Sequence, residues 1–161
     1  MICTDFTGFA AVLKPHGALL GLDLGTKTIG MAYSDTGRTI ATALGIIKRT
    51  KFTADAAHLS TVIDERAICG VVLGLPRNMD GSEGPRAQST RAFAQNLTQT
   101  GGVGHLPLMF WDERLSTVAA EKTLIAADMT RKRRAQVVDA VAASYILQGA
   151  LDRLHHLQAP Q

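Results

Sequence analysis

Residues 18 to 35 read ALLGLDLGTKTIGMAYSD, and the chemistry in that stretch resides in Asp23, a carboxylate set inside an otherwise apolar run. An unpaired buried carboxylate is costly, so such a residue is neutralised, paired, or held against a cation. Two further acidic positions sit in comparable company. Asp112 and Glu113 of WDERLST follow an apolar segment, and Asp139 lies in QVVDAVAASYIL among apolar and small residues. Helical spacing puts Asp139 beside Ala142, Ala143 and Ile146, on a face that should press against a sheet. Three carboxylates distant in sequence are thus expected near the core, with few compensating cations. Hard oxygen donors in that arrangement suit Mg²⁺ or Mn²⁺. Two such ions, about 4 Å apart, can activate water and stabilise the leaving oxygen of a phosphodiester.

Each acidic residue also has a purely structural reading. Asp23 could accept hydrogen bonds from backbone N–H groups of the Gly25 turn, and Asp139 could pair with Arg133. Asp112 and Glu113 are adjacent, so on an extended strand only one can face a shared site. The other would accept hydrogen bonds from the turn or from Arg114.

Basic and polar residues supply the candidate grip on a polyanion. Arg131, Lys132, Arg133 and Arg134 are consecutive and lead into the helical stretch that carries Asp139. Positive charge at a helix N-terminus opposes the helix dipole, so local stability does not account for the run. With no aromatic residues interleaved, contact with phosphate backbone is expected rather than base stacking. In the loop GLPRNMDGSEGPR, Asp80-Gly81 is a turn signal and Ser82 reads as a helix N-cap. Gly81 and Gly84 leave N–H groups accessible to phosphate, and Asn78 is a candidate substrate contact.

These residues must be positioned by a sheet. Three strands are expected in quick succession, Ala18 to Leu24, Ile29 to Ser34 and Thr39 to Ile47. Their short separators make them antiparallel neighbours. A helix from Thr53 to Arg66, a strand from Gly70 to Leu75, a helix from Pro85 to Thr100 and a strand from Pro107 to Trp111 follow. Helices from Ser116 to Ala127 and from Arg131 to Leu154 complete the series. This order implies an α/β fold, a mixed sheet with helices on both faces.

The 161 residues, 46% hydrophobic and 19% charged, suit one globular domain rather than a disordered chain. Residues 1–17 read as an N-terminal extension, 18–154 as the domain and 155–161 as a C-terminal tail. No apolar run reaches the roughly 20 residues of a membrane span. Asp5 stands where a secretory leader would carry Lys or Arg, so a cytoplasmic protein is expected. Cys3 and Cys69 lack partners at metal-ligand spacing. The net charge of +3 is weak support for a polyanionic partner.

Four ordered motifs, GLDLGTKTIGMAYSD, VVLGLPRNMDGSEGPRAQSTRAFA, WDERLST and DAVAASYIL, resemble the YqgF (RuvX-like) family over about Leu19 to Leu151. Its members are described as pre-16S rRNA nucleases related to Holliday junction resolvases. The resemblance implies an RNase H-like fold with a mixed five-stranded sheet whose first three strands are antiparallel. It implies that Asp23, Glu113 and Asp139 are the catalytic and metal-holding acids, choosing Glu113 over Asp112. It further implies Mg²⁺ or Mn²⁺ and a nucleic-acid partner, which Lys27, Asn78, Arg114 and the 131–134 run are expected to hold. That partner is pre-rRNA, with branched DNA and a ribosomal particle as alternatives, met by a monomer or homodimer. Related nucleases often use a fourth acid, which has no match here. Thr28 departs from the pattern too, standing where the family usually has arginine. DLGTKTIG also looks like the phosphate-binding turn of the sugar-kinase, actin and Hsp70 superfamily, but those folds need a second domain. A third expectation is an RNA-binding factor with a vestigial acidic site.

Overall fold

The computed structural model describes residues 1–115 and 131–158, with the side chains of 131–137 outside that description. The expected helix from Ser116 to Ala127 therefore lies outside the described residues. The elements run β1 (Ile2–Cys3), α1 (Phe6–Val12), β2 (Ala18–Leu24), β3 (Thr28–Ser34), β4 (Ala41–Lys48) and α2 (Phe52–Glu65). After these come β5 (Ile68–Leu75), α3 (Pro85–Thr98), β6 (Leu108–Asp112) and α4 (Arg131–Gln158). The strands form one mixed sheet in the order β1-β6-β5-β2-β3-β4. β2, β3 and β4 are antiparallel neighbours, as their short connections require, while β2, β5, β6 and β1 pair in parallel.

The sheet has six strands rather than the expected five. Ile2 and Cys3 pair with Leu108 and Met109 at the outer edge, and two residues are too few to display strand alternation. The fourth strand begins at Ala41 rather than Thr39, because the Asp35 carboxylate accepts the N–H groups of Thr39 and Ile40, both at 2.8 Å. Those donors are diverted into a turn before the ladder starts. α4 runs past the expected end at Leu154 to Gln158, and the His155 ring lies 2.7 Å from the Arg38 carbonyl.

β2 is buried along its whole length because both faces of the sheet are covered. Leu20, Leu22 and Leu24 meet α2 and α3 through Leu59, Ile63, Phe93 and Leu97 on one face. Leu19, Val72 and Trp111 meet Phe9 of α1 and Ile146, Leu147 and Leu151 of α4 on the other. Where α4 crosses the sheet, this second layer is tight at Gly21, Gly30 and Gly74. A Cβ on Gly21 would lie 2.6 Å from the Leu147 Cβ, one on Gly30 1.9 Å from the Asp139 carbonyl oxygen, and one on Gly74 2.5 Å from Ile146 Cδ1. Missing side chains in the sheet thus set how closely α4 approaches, and with it the height of Asp139 above β2 and β3.

Candidate active site

Asp23 is only 2% exposed and points to the α4 face, with Gly21 and Gly25 beside it along the strand. Its cross-strand neighbour on β3 is Gly30. On β5, Gly74 is the residue after Leu73, which pairs with Leu22. The sheet therefore bares its backbone around Asp23, and the space that side chains would fill is taken by two other acidic residues. Asp139 meets Gly30 through its backbone, and its Oδ2 lies 3.1 Å from where a Gly25 Cβ would be. The Glu113 carboxyl carbon is 3.5 Å from the corresponding position at Gly74.

Strand parity and the turn that follows β6 send the two adjacent acids to different sides of the sheet. Met109 and Trp111 pack in the α4 layer, whereas Leu108 and Phe110 pack in the α2–α3 layer. Asp112 continues the second set. Its Oδ1 accepts the Arg114 N–H at 3.0 Å, and its Oδ2 accepts Arg114 Nη2 at 2.7 Å. Arg77 Nη1 is 3.8 Å away. Glu113, first residue of the 3₁₀ turn Glu113–Leu115, emerges on the α4 side. The hydrogen bond from Arg114, with its positive charge, holds the Asp112 carboxyl below the usual carboxylate range. That folded-state depression makes its stabilising effect complete above the ordinary carboxylate pKa, and lost as pH falls through the lower folded value. Asp112→Asn should cost about 1 kcal/mol at neutral pH, about 2–4 °C in Tm. In melts recorded across acid pH, the gap to wild type should narrow below about pH 4. A gap that does not depend on pH would contradict the assignment.

Asp139 is half-buried, and its Oδ2 accepts the Thr28 hydroxyl. Thr28 thus orients one of the three acids from a position where the family resemblance leads one to expect arginine. The turn before it closes by a hydrogen bond from Gly25 N–H to the Thr28 carbonyl at 2.8 Å. Arg49 braces this turn, donating Nη1 to the Gly25 carbonyl at 2.6 Å and its backbone N–H to the Lys27 carbonyl at 2.8 Å. Lys27 itself is exposed at the tip. Neither Thr28 nor Arg49 announced a role in the sequence. Both act through contacts distant in the chain.

Asn78 is engaged within its own loop. Its Nδ2 donates to Ser82 Oγ at 3.0 Å and its N–H to the Ser82 carbonyl at 2.9 Å. Ser82 does not cap α3: its N–H and hydroxyl donate to Asp80 Oδ1 at 2.9 and 2.6 Å. Gly84 is the N-cap, without a side-chain hydrogen bond, and Pro85 opens the helix. The backbone of the 131–134 run begins α4, and its side chains lie outside the described residues.

Asp23, Glu113 and Asp139 therefore border one hollow from β2, the turn after β6, and α4. Among the described residues, no group of three or more His, Cys, Asp or Glu side chains closes into a metal-ligand cluster. The donor chemistry, oxygen only, fits a hard divalent ion.

A family described as "RuvX: Holliday junction resolvase" matches residues 17–153. A protein of Jannaschia sp. (strain CCS1) described as "Putative pre-16S rRNA nuclease" is 63% identical over 159 residues, 99% of each chain. One of Cereibacter sphaeroides (strain ATCC 17025 / ATH 2.4.3) with the same description is 65% identical over 157 residues, 98% of this chain and 96% of that protein. Among solved structures, T. thermophilus RuvC in complex with Holliday junction substrate aligns with a TM-score of 0.51 at 14% identity. That alignment covers 88% of this chain and 97% of the other. The likeness bears on fold, which is the RNase H-like arrangement of mixed sheet and flanking helices.

Proposed function

The chain belongs to the RuvX family, and on that premise we propose that it is a divalent-metal-dependent endonuclease hydrolysing phosphodiester bonds in structured RNA, its substrate the 5′ end of pre-16S rRNA. The observation that carries the proposal is the buried Asp23 in a sheet stripped of side chains on both flanks, with Asp139 against Gly25 and Gly30 and Glu113 against Gly74. Relatives similar over nearly the whole chain carry the pre-16S description, which favours RNA.

In this reading Asp23, Glu113 and Asp139 hold Mg²⁺ or Mn²⁺. When bound, such an ion lowers the pKa of a water nucleophile and stabilises the leaving oxygen. The chain's own contribution is orientation. The Thr28 hydroxyl fixes Asp139, the Gly25 turn braced by Arg49 carries Lys27 to the rim, and Arg114 is held at the other rim by Asp112. Lys27, Arg114 and the run Arg131, Lys132, Arg133 and Arg134 bind phosphates on either side of the scissile bond. Asn78 acts indirectly, by shaping the loop that faces Arg114. The protein works in the cytoplasm, on a free precursor or a ribosomal particle.

The test is incubation with a pre-16S 5′ fragment and with a four-way DNA junction, in Mg²⁺, in Mn²⁺ and in chelator. Metal-dependent cutting of the RNA supports the proposal, and no cutting of either substrate defeats it. The family's description favours a second reading, resolution of four-way DNA junctions. That reading requires a symmetric dimer presenting two sites to two strands, and preferential cutting of the junction would support it.

Neutralising Arg131, Lys132, Arg133 and Arg134 together should weaken RNA binding. It should also flatten the plot of log affinity against log salt by about 0.7 for each single-strand phosphate that the run neutralises in wild type. An unchanged slope would mean that the run is a solvated helix end.

A further inference from the structure

A cavity lies at the edge of the sheet beside the C-terminal ends of β5 and β6. β1 flanks β6 only as far as Cys3 opposite Met109. Beyond that pair the sheet edge opens into a cavity of about 390 Å³, lined by Phe6, Leu75, Arg77, Arg91, Phe110 and Asp112 among others. That volume is within the roughly 300–1,000 Å³ of small-ligand sites. Its lining combines two chemistries. Phe6 and Phe110 contribute flat apolar surface, and the Arg91 guanidinium lies over the Phe110 ring, 5.0 Å from its centroid. Arg77 contributes a guanidinium with only long ion-pair contacts.

Two carboxylates here serve three guanidinium groups. Glu83 accepts Arg91 Nη2 at 2.8 Å and Asp112 accepts Arg114 Nη2 at 2.7 Å. Arg77 approaches the same two acids only at 3.4 and 3.8 Å. Its Nε is buried and makes no hydrogen bond among the described residues. The Arg77 side chain is 31% exposed, so its terminal N–H groups, held only by these long contacts, are open to an acceptor in the cavity.

We propose that this cavity receives an unstacked nucleobase of the strand being cut. A base offers a flat face for the Phe110–Arg91 platform and edge acceptors for Arg77, the combination by which single-stranded RNA is read. An aliphatic ligand would leave Arg77 unmatched, and a bare anion would leave the aromatic wall unused. Asp112 lines the cavity and Glu113, the next residue, emerges on the other side of the sheet end, so a strand with a phosphate at the acids would reach this opening by passing over the ends of β5 and β6. The proposal rests on the nuclease reading for that placement, and Arg77 becomes the residue that sets base preference next to the cut.

The test uses short single-stranded RNA oligonucleotides, intact or with one abasic position stepped along the strand, in chelator so that binding is measured without cleavage. Fluorescence anisotropy should show one abasic position binding about tenfold more weakly than the intact strand. Arg77→Lys keeps the charge and should keep the salt slope, yet reduce that discrimination to under twofold. Discrimination that is absent in wild type, or undiminished in Arg77→Lys, overturns the proposal.

Cys3 provides a readout that needs no variant. It is half-buried against the cavity, whereas Cys69 is buried elsewhere. Burial pushes the Cys3 thiol up, so its alkylation by N-ethylmaleimide should be followed by mass spectrometry above pH 8. The intact oligonucleotide should slow Cys3 alkylation at least fivefold and the abasic one should not. Equal rates with both would overturn the proposal. Discrimination without metal-dependent cleavage would retain this cavity and remove the nuclease reading, and cleavage without discrimination would do the reverse.

Discussion

Asp23→Asn will lower the single-turnover cleavage rate on the order of 10³-fold, about 4 kcal/mol of transition-state stabilisation, while leaving the fold as stable as before. The two halves of that expectation have one cause. Asparagine keeps the shape of the side chain but not its charge, so it weakens any cation held in the hollow. At a position 2% exposed, the same change relieves the cost of burying a carboxylate. Tm in chelator should therefore be unchanged or higher, the stability–activity opposition expected of residues kept for chemistry. A variant that cuts like wild type would remove Asp23 from the catalytic set. One that melts many degrees lower would make it a structural acceptor.

Gly30→Ala should be the most damaging single methyl in the protein. Its Cβ would meet the Asp139 carbonyl oxygen at 1.9 Å, the carbonyl carbon at 2.3 Å and the Ala140 nitrogen at 2.9 Å. These are backbone atoms that no rotamer change can move aside, so α4 must lift from the sheet. Overpacking of this kind costs about 3 kcal/mol, about 6–12 °C in Tm for a domain of this size. Activity should fall further than stability, because lifting α4 carries Asp139 away from Asp23. Displacement by about 1 Å can cost on the order of 10²-fold in rate. Gly101→Ala, with nothing within 4 Å of its Cβ position, is the control and should stay within about 0.5 kcal/mol of wild type. Thermal melts and cleavage of the folded fraction measure both effects. A Gly30→Ala protein as active and as stable as this control would refute the close-approach argument.

The parts of the fold that were legible in advance are those written in local periodicity. Alternation and short turns specified β2, β3 and β4, and small residues at helical spacing specified the buried face of α4. Asp23 and Asp139 could be singled out because a charge interrupts those patterns. Glu113 could not be separated from Asp112 by pattern, since adjacent strand residues exchange faces and the strand end decides which is which. Only the family resemblance chose between them; in the structure Met109 and Trp111 face α4, the side on which Glu113 emerges. What stayed hidden depends on partners far away in the chain. Thr28 acts on Asp139, Arg49 on Gly25, and Arg77 on Glu83 and Asp112. Ser82 misled because its hydroxyl suits a cap, yet Asp80, two residues earlier, claims it.

The hollow is assembled from elements of very different permanence. Asp23 sits on a seven-residue strand buried throughout and paired on both edges, whereas Glu113 sits on a three-residue turn beside the exposed Arg114 and Leu115. Hydrogen exchange at the amides of Leu20 to Leu22 should require global unfolding, while the amide of Glu113 should exchange through local opening at a small fraction of that free energy. One acid is thus available for as long as the protein is folded. In the proposed reading, the acid on the turn is the one expected to open without global unfolding, and it would set how long the three stand together.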